Sequence, residues 1–192
     1  MFLNEPRNAE ASAYLEKDRA ASGYVMNLER AWAWRPDVAQ AFAQVRRQLM
    51  EQTSLTPAEL ALLACTTARA LGDSYCSLAW GTRLAGIRGA AAVADIMRGT
   101  DPPMSTARET ALRRWTEQIV RDPNAVTTDQ VDSLRAAGLS DREIFEATVQ
   151  IAFRLAFSTV NDALGARPDR ELVIAAPPEI RAAVTYGRPP CE

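Results

Sequence analysis

The chain has no histidine, and this absence removes more chemistry than any residue present supplies. Without imidazole it cannot build a Ser-His-Asp triad, a Cys-His pair, or a zinc or haem site that needs a histidine ligand. General acid–base work falls to carboxylates, tyrosines or a thiol. Cysteine is also scarce. Cys65, Cys76 and Cys191 are odd in number and irregular in spacing, with no C-x-x-C, so neither a secreted disulfide framework nor a metal knuckle is indicated. The thiols are read as reduced. Lysine occurs once, at Lys17, against arginine for the rest of the 22 basic residues, which we read as compositional bias. Formal charge is -2 and the arginines are scattered, so no stripe for nucleic acid and no polybasic membrane patch is visible. No run approaches the ~20 apolar residues of a membrane span, and MFLNEPRNAEAS lacks the pattern of a signal peptide; a cytoplasmic location is expected. The glycines never form G-x-G-x-x-G after a strand, and no cofactor is implied.

What is present is an ordinary soluble composition, 47% hydrophobic and 24% charged over 192 residues, enough for one domain with a sizeable core. The pattern is helix after helix. Ala9 to Ala20 reads as a first helix broken near Gly23, followed by a short segment from Leu28 to Trp34. Pro36 starts a longer helix whose Val38, Phe42, Val45 and Leu49 make one apolar stripe. Thr56-Pro57-Ala58-Glu59 combines a capping box with a proline at the first helical position, and Gly72 ends that helix in a left-handed conformation. A second helix begins at once and runs to about Ala85, with Gly86 and Gly89 punctuating its end. Ala90 to Arg98 forms a short helix presenting Val93, Ile96 and Met97, and GTDPPMS is a loop by composition.

Three more capping boxes follow, at Thr106/Glu109, Thr127/Gln130 and Ser140/Glu143. The first opens a helix facing Leu112, Trp115 and Ile119 to one side. The last helix, Asp141 to Leu164, is apolar on several faces, which predicts a buried central helix or part of a subunit interface. Gly165 stops it. No strand-like alternation persists, so the expected fold class is all-α, a single-domain helical bundle over 1–165 with its core motif at 55–88. The proline-punctuated residues 166–192 are read as a C-terminal arm lying on the body or on a neighbouring subunit.

One placement is chemically suggestive. With Asp73 or Ser74 as N-cap, Cys76 lies in the first turn of its helix, where free amides and the helix dipole favour a thiolate. Asp73 opposes this with a carboxylate, Trp80 shields the site one turn later, and Arg83 lies two turns on along the same face. Read as packing, Cys76 is a small buried hydrophobe, Trp80 a core aromatic and Glu59 a capping residue. Tyr75 fits an apolar stripe or donates a hydrogen bond beside Cys76. Cys65 reads as core and Cys191 as an exposed tail thiol. Even on one straight helix, eleven positions separate Cys65 from Cys76 by roughly 16 Å, too far for a disulfide.

Taken together, SGYVMN at 22–27, LTPAEL before the central helix, YCSLAWGTRLAG at 75–86, VTTDQVDSLRAAGLSDREIFE and VNDALGARPD resemble the alkylhydroperoxidase D-like, or carboxymuconolactone decarboxylase, superfamily in its peroxidase-related branch. The resemblance spans nearly the whole chain. It implies an all-helical fold and a homo-oligomer of dimer, trimer or hexamer type. It also implies a site made of a C-x-x-C at a helix start, a histidine four residues on, and an upstream glutamate. Carried over, the second cysteine falls on Cys76, the first on Asp73, the histidine on Trp80 and the glutamate on Ala61. Cys76 therefore has no partner thiol within its helix.

Three readings follow. In the first, Cys76 alone reacts with peroxide, becomes a sulfenic acid and is reduced by a small thiol or lipoyl-type reductant. In the second, the protein is a catalytically silent oligomeric binding protein with Trp80 filling the former site. In the third, it acts on a lactone or other small organic acid, as decarboxylase branches do, with Arg83 holding the carboxylate.

Overall fold

The computed structural model describes residues 1–103 and 105–191; of the loop and arm expected from the sequence, Met104 and Glu192 lie outside the described residues. Eleven α-helices and no strands are found among the described residues. They are α1 (Ala9–Ser22), α2 (Asn27–Trp32), α3 (Pro36–Gln52), α4 (Pro57–Leu71), α5 (Ser74–Arg88), α6 (Ala90–Arg98), α7 (Ala107–Arg121), α8 (Thr128–Ala136), α9 (Asp141–Ala163), α10 (Arg170–Ala175) and α11 (Pro178–Ala183). The capping boxes at Thr56, Thr106 and Ser140 form in both directions, and Gln130 accepts from the Thr127 amide at 2.9 Å. Each gives a helix start partners for amides that would otherwise lack them within the chain. The helix α5 runs through Gly86 and ends at Arg88, because the left-handed stop falls on Gly89. None of the described helices is long and apolar enough to cross a membrane.

The central helix is α4, not α9. Every residue of α4 from Glu59 to Ala68 is buried. One side, with Ala61, Leu62 and Cys65, packs against Leu78 and Leu84 of α5, Val93 and Met97 of α6, and Ile180 of α11. The other, with Leu60 and Leu63, meets Leu112, Trp115 and Ile119 of α7, Leu134 of α8 and Ile151 of α9. By contrast α9 leaves Phe145 66% exposed and buries Glu146, Gln150, Arg154 and Ser158. The stripe expected on α3 is only partly covered: Phe42 and Leu49 are half-buried, whereas Val38 and Val45 remain 42% exposed.

The arm lies on the chain's own body. Ala176, Ile180 and Ala183 join the α4–α5–α6 core. Gly81 permits this approach, since a Cβ there would lie 3.0 Å from Ile180 Cγ2 and from Met97 Cε. Further on, Gly187 runs against the turn between α4 and α5, where a Cβ would fall 2.4 Å from the Gly72 carbonyl oxygen. Cys191, read as an exposed thiol, is half-buried, with its amide donating to Pro168 O at 2.9 Å and Asn27 Nδ2 donating to its sulfur at 3.3 Å.

A second tie joins α4, α7 and α9. Arg108 donates to Glu59 Oε1, to Glu143 Oε1 at 2.6 Å and to Gly138 O at 2.7 Å. Arg108 beside Glu143 holds that carboxyl down to about 2. Burial opposes the Glu59 charge, but the Thr56 amide and Arg108 outweigh it and lower that carboxyl too. Both groups titrate below their unfolded values, so their stabilisation is complete at neutral pH and is lost as pH falls from about 5 towards 2. Arg108→Met should cost roughly 1–3 kcal/mol at pH 7 and flatten the acid limb. Urea unfolding at pH 7 and in acid reads both; unchanged acid dependence would remove this triad as its source.

Candidate functional site

The site is built where two helices meet at one end of the bundle. Gly72, at φ 73°, turns the chain out of α4, and Asp73 follows as N-cap of α5 with its Oδ1 accepting from the Cys76 amide at 2.9 Å. Cys76 therefore sits in the first helical turn, where the sequence places it. The residue is 4% exposed. Burial pushes the thiol well above its ordinary value and Asp73 adds to the shift, while Arg154 and the Ser158 hydroxyl oppose it and lose. The helix-start location therefore does not produce a thiolate, and the resting group is a protonated thiol.

Side chains of α9 reach the same place. Ser158 Oγ donates to Cys76 Sγ at 3.7 Å. One turn along α5 is Trp80, one turn back along α9 is Arg154, and the Arg154 guanidinium carbon stands 5.1 Å from the indole centroid and 5.0 Å from that of Phe157. Arg46 of α3 lies 5.5 Å from the same Phe157 ring and 5.9 Å from Phe42. Arg154 is 3% exposed, and no hydrogen bond or ion pair to it is found among the described residues; its Nε is buried without a partner. Gln150, one turn further back, is fully buried with both amide atoms unpaired. The second oxygen of Asp73 is likewise buried and unpaired. In the other direction along α9, Asp162 is pushed up to about 7 by burial and by Asp73, with Arg188 opposing.

The remaining sequence candidates divide. Trp80 is half-buried and Arg83 stays exposed, its guanidinium 5.2 Å from the indole centroid. Both line a cavity of about 290 Å³ whose other walls include Met50, Leu55 and Leu60. Tyr75 does not reach into this site: its hydroxyl donates to Asp169 Oδ2, whose other oxygen accepts from the Asn27 amide at 2.9 Å. Glu59 is committed to Thr56 and Arg108. Cys65 is fully buried in the core, and all three cysteines are free. Among the described residues no group of three or more Cys, Asp or Glu is placed to hold a metal ion.

Sequence reading passed over Gln150, Arg154, Ser158 and Asp162, yet a signal for them existed. These four recur at intervals of four along a helix that is otherwise rich in apolar residues. That spacing aligns them on one face.

Neither a protein-family model nor a curated protein matches the sequence. Solved structures do match in fold. An uncharacterized peroxidase-related protein with an alkylhydroperoxidase AhpD core, from Ralstonia eutropha JMP134, is similar at a TM-score of 0.74 and 20% identity, covering 89% of this chain and 93% of that one. A second uncharacterized peroxidase-related protein, from Silicibacter sp. TM1040, gives a TM-score of 0.76 at 20% identity over the same shares. The debrominase Bmp8 gives 0.69 at 14% identity, over 92% of this chain and 90% of that one, and a cysteine-to-alanine variant of it has been solved with 2,3,4-tribromopyrrole. The fold is thus that of the alkylhydroperoxidase D-like, peroxidase-related proteins.

The position of Asp162 carries a pH signature. Its folded value near 7 exceeds the ~3.9 of an unfolded aspartate, so ionising it in the folded state costs stability as pH rises from about 4 to 7. Asp162→Asn should therefore leave Tm unchanged at pH 4 and raise it progressively by pH 8. A uniform shift at all pH values would mean that Asp162 is not the titrating group.

Proposed function

We propose that this protein is a single-thiol oxidoreductase in which Cys76 is the reacting group. One observation carries the reading: costly buried polar groups, Arg154 and Ser158 of α9 with Asp73 of α5, are gathered about this thiol. A fold needing only packing there would place apolar side chains on that face. The reaction consistent with the fold class is reduction of a hydroperoxide. The sulfur attacks the terminal peroxide oxygen, the O–O bond breaks, an S–O bond forms, and the thiol proton leaves with the product alcohol. Sulfur is oxidised by two electrons to a sulfenic acid and the peroxide is reduced by two. Two external thiols then restore the thiol, giving their disulfide and water. With no partner cysteine on α5, the reductant comes from outside the chain, as a small thiol or a lipoyl-type group.

A second reading, a binding protein without turnover, is favoured by the burial and raised thiol of Cys76. The two separate cleanly. Reduced protein treated with stoichiometric peroxide and a sulfenic-acid trap should carry label on Cys76 ahead of Cys65 and Cys191, and Cys76→Ser should abolish peroxide consumption. An unlabelled Cys76 under conditions that label Cys191 leaves the binding reading.

We also propose that the chain assembles with copies of itself. The 42% exposed Val38 and Val45 on α3 and the 66% exposed Phe145 on α9 support a hidden apolar face. Light scattering on a sizing column should give a multiple of 21.0 kDa, reduced in a Val38→Lys, Val45→Lys variant. A monomeric wild type would refute it.

A further inference from the structure

Arg154 is the least explained charge in the molecule. It is 3% exposed, and among the described residues it has no ion pair and no hydrogen bond. The carboxylate that acts on it electrostatically, Asp73, is not in contact with it. Arg46, against the same Phe157 ring, also has an unpaired Nε, and burial together with Arg154 lowers it to about 10. Arg83, against the same Trp80 ring, has no ion-pair partner among the described residues. Three guanidinium groups thus share two aromatic rings with no counter-ion. Leaving such a group unpaired inside a protein is expensive, and anions relieve that expense. At 3% exposure no macromolecular surface reaches Arg154, so its partner must be small.

The cavity beside Trp80 indicates the shape of that partner. Its walls combine Met50, Leu55, Leu60 and the Trp80 indole with the Arg83 guanidinium. Trp80 belongs both to this cavity and to the contact with Arg154, which itself does not line the cavity, so one ligand reaches both only when the half-buried indole turns aside. We propose that this region is a binding site for a small aromatic carboxylate, whose ring occupies the apolar cavity and whose carboxylate is held by Arg83 and Arg154. Gln150, with both amide atoms free one turn from Arg154, offers a further donor. The site does not require the thiol to react, so it stands or falls independently of peroxide chemistry at Cys76.

Benzoate and its neutral isostere benzamide are the probes, with the full-length protein and calorimetry or thermal shift as readout. Benzoate should bind and raise Tm. Benzamide should bind about tenfold more weakly or not at all, since a charge-assisted bond is replaced by a neutral one. Arg154→Gln should weaken benzoate by about tenfold or more while raising the Tm of the unliganded protein, because an unpaired buried charge is removed. Cys76→Ser should bind benzoate as wild type does. No benzoate response at millimolar concentration, equal binding of benzamide, or wild-type affinity in Arg154→Gln would each overturn the proposal. A fall in unliganded Tm for both Arg154→Gln and Arg154→Met, or a change in oligomeric mass, would overturn it in favour of a structural partner for this arginine.

Discussion

The reversal of the chain at Gly72 and Asp73 is the constraint on which the rest of the molecule depends. A left-handed glycine ends α4, and a single carboxylate caps α5 immediately, leaving no loop between two fifteen-residue helices. The two helices therefore pack along their length, α4 becomes the central helix, and the first turn of α5 is held inside the protein. The arm depends on the same reversal. Gly187 passes so close to the Gly72 carbonyl that only a glycine fits, and Ser74 Oγ donates to Arg188 O at 2.7 Å. The start of α5 is thus covered by residues 187 and 188.

That closure explains why a location favouring a thiolate contains a thiol. Helix amides and a neighbouring guanidinium stabilise negative charge on sulfur, but only by about a kilocalorie or two each where solvent is partly excluded. Removing the sulfur from water opposes them, and burial is the larger effect here. Asp73, where the resemblance expects a first cysteine, then adds to the imbalance. Asp73 is an excellent N-cap, so the helix start is well made, and its charge makes the adjacent thiolate less favourable. Good local structure and an active thiol are in conflict at this one position.

Much of the architecture could be read from local chemistry, because its signals are local. Thr56, Thr106 and Ser140 each supply both halves of a box within four residues, and the helices begin where these residues stand. Gly23, Gly72 and Gly165 stop helices for an equally local reason, their positive φ. Reading went astray where the answer depended on tertiary neighbours. Val38 and Val45 satisfy helical periodicity, yet periodicity identifies an apolar face without saying what covers it. The apolar faces of α9 point equally to a central helix or to a subunit interface, and composition alone does not separate the two; the structure makes α4 the central helix and leaves Phe145 of α9 exposed. Arg154 and Gln150 look like surface residues by type, and only the packing of α9 into the bundle shows them to be inside. Tyr75 is buried with Leu28 and Ala166, in keeping with an apolar stripe, but the partner of its hydroxyl, Asp169, is 94 residues away and gives no local signal.

The polar face of α9 ties these points together. A helix that buries Glu146, Gln150, Arg154 and Ser158 in succession gives up apolar contact at four consecutive turns. Glu146 recovers the loss through Thr53 and Arg142, and Ser158 does so through Cys76. Gln150 and Arg154 do not. The uncompensated pair sits in the middle of the stripe, next to Trp80, at the position where the resemblance expects a histidine. The Trp80 indole carries no exchangeable proton for acid–base work and supplies a flat ring against which a guanidinium lies. The thiol thus stands on α5 and the uncompensated charge on α9, so the electrostatic demand of this region comes from α9.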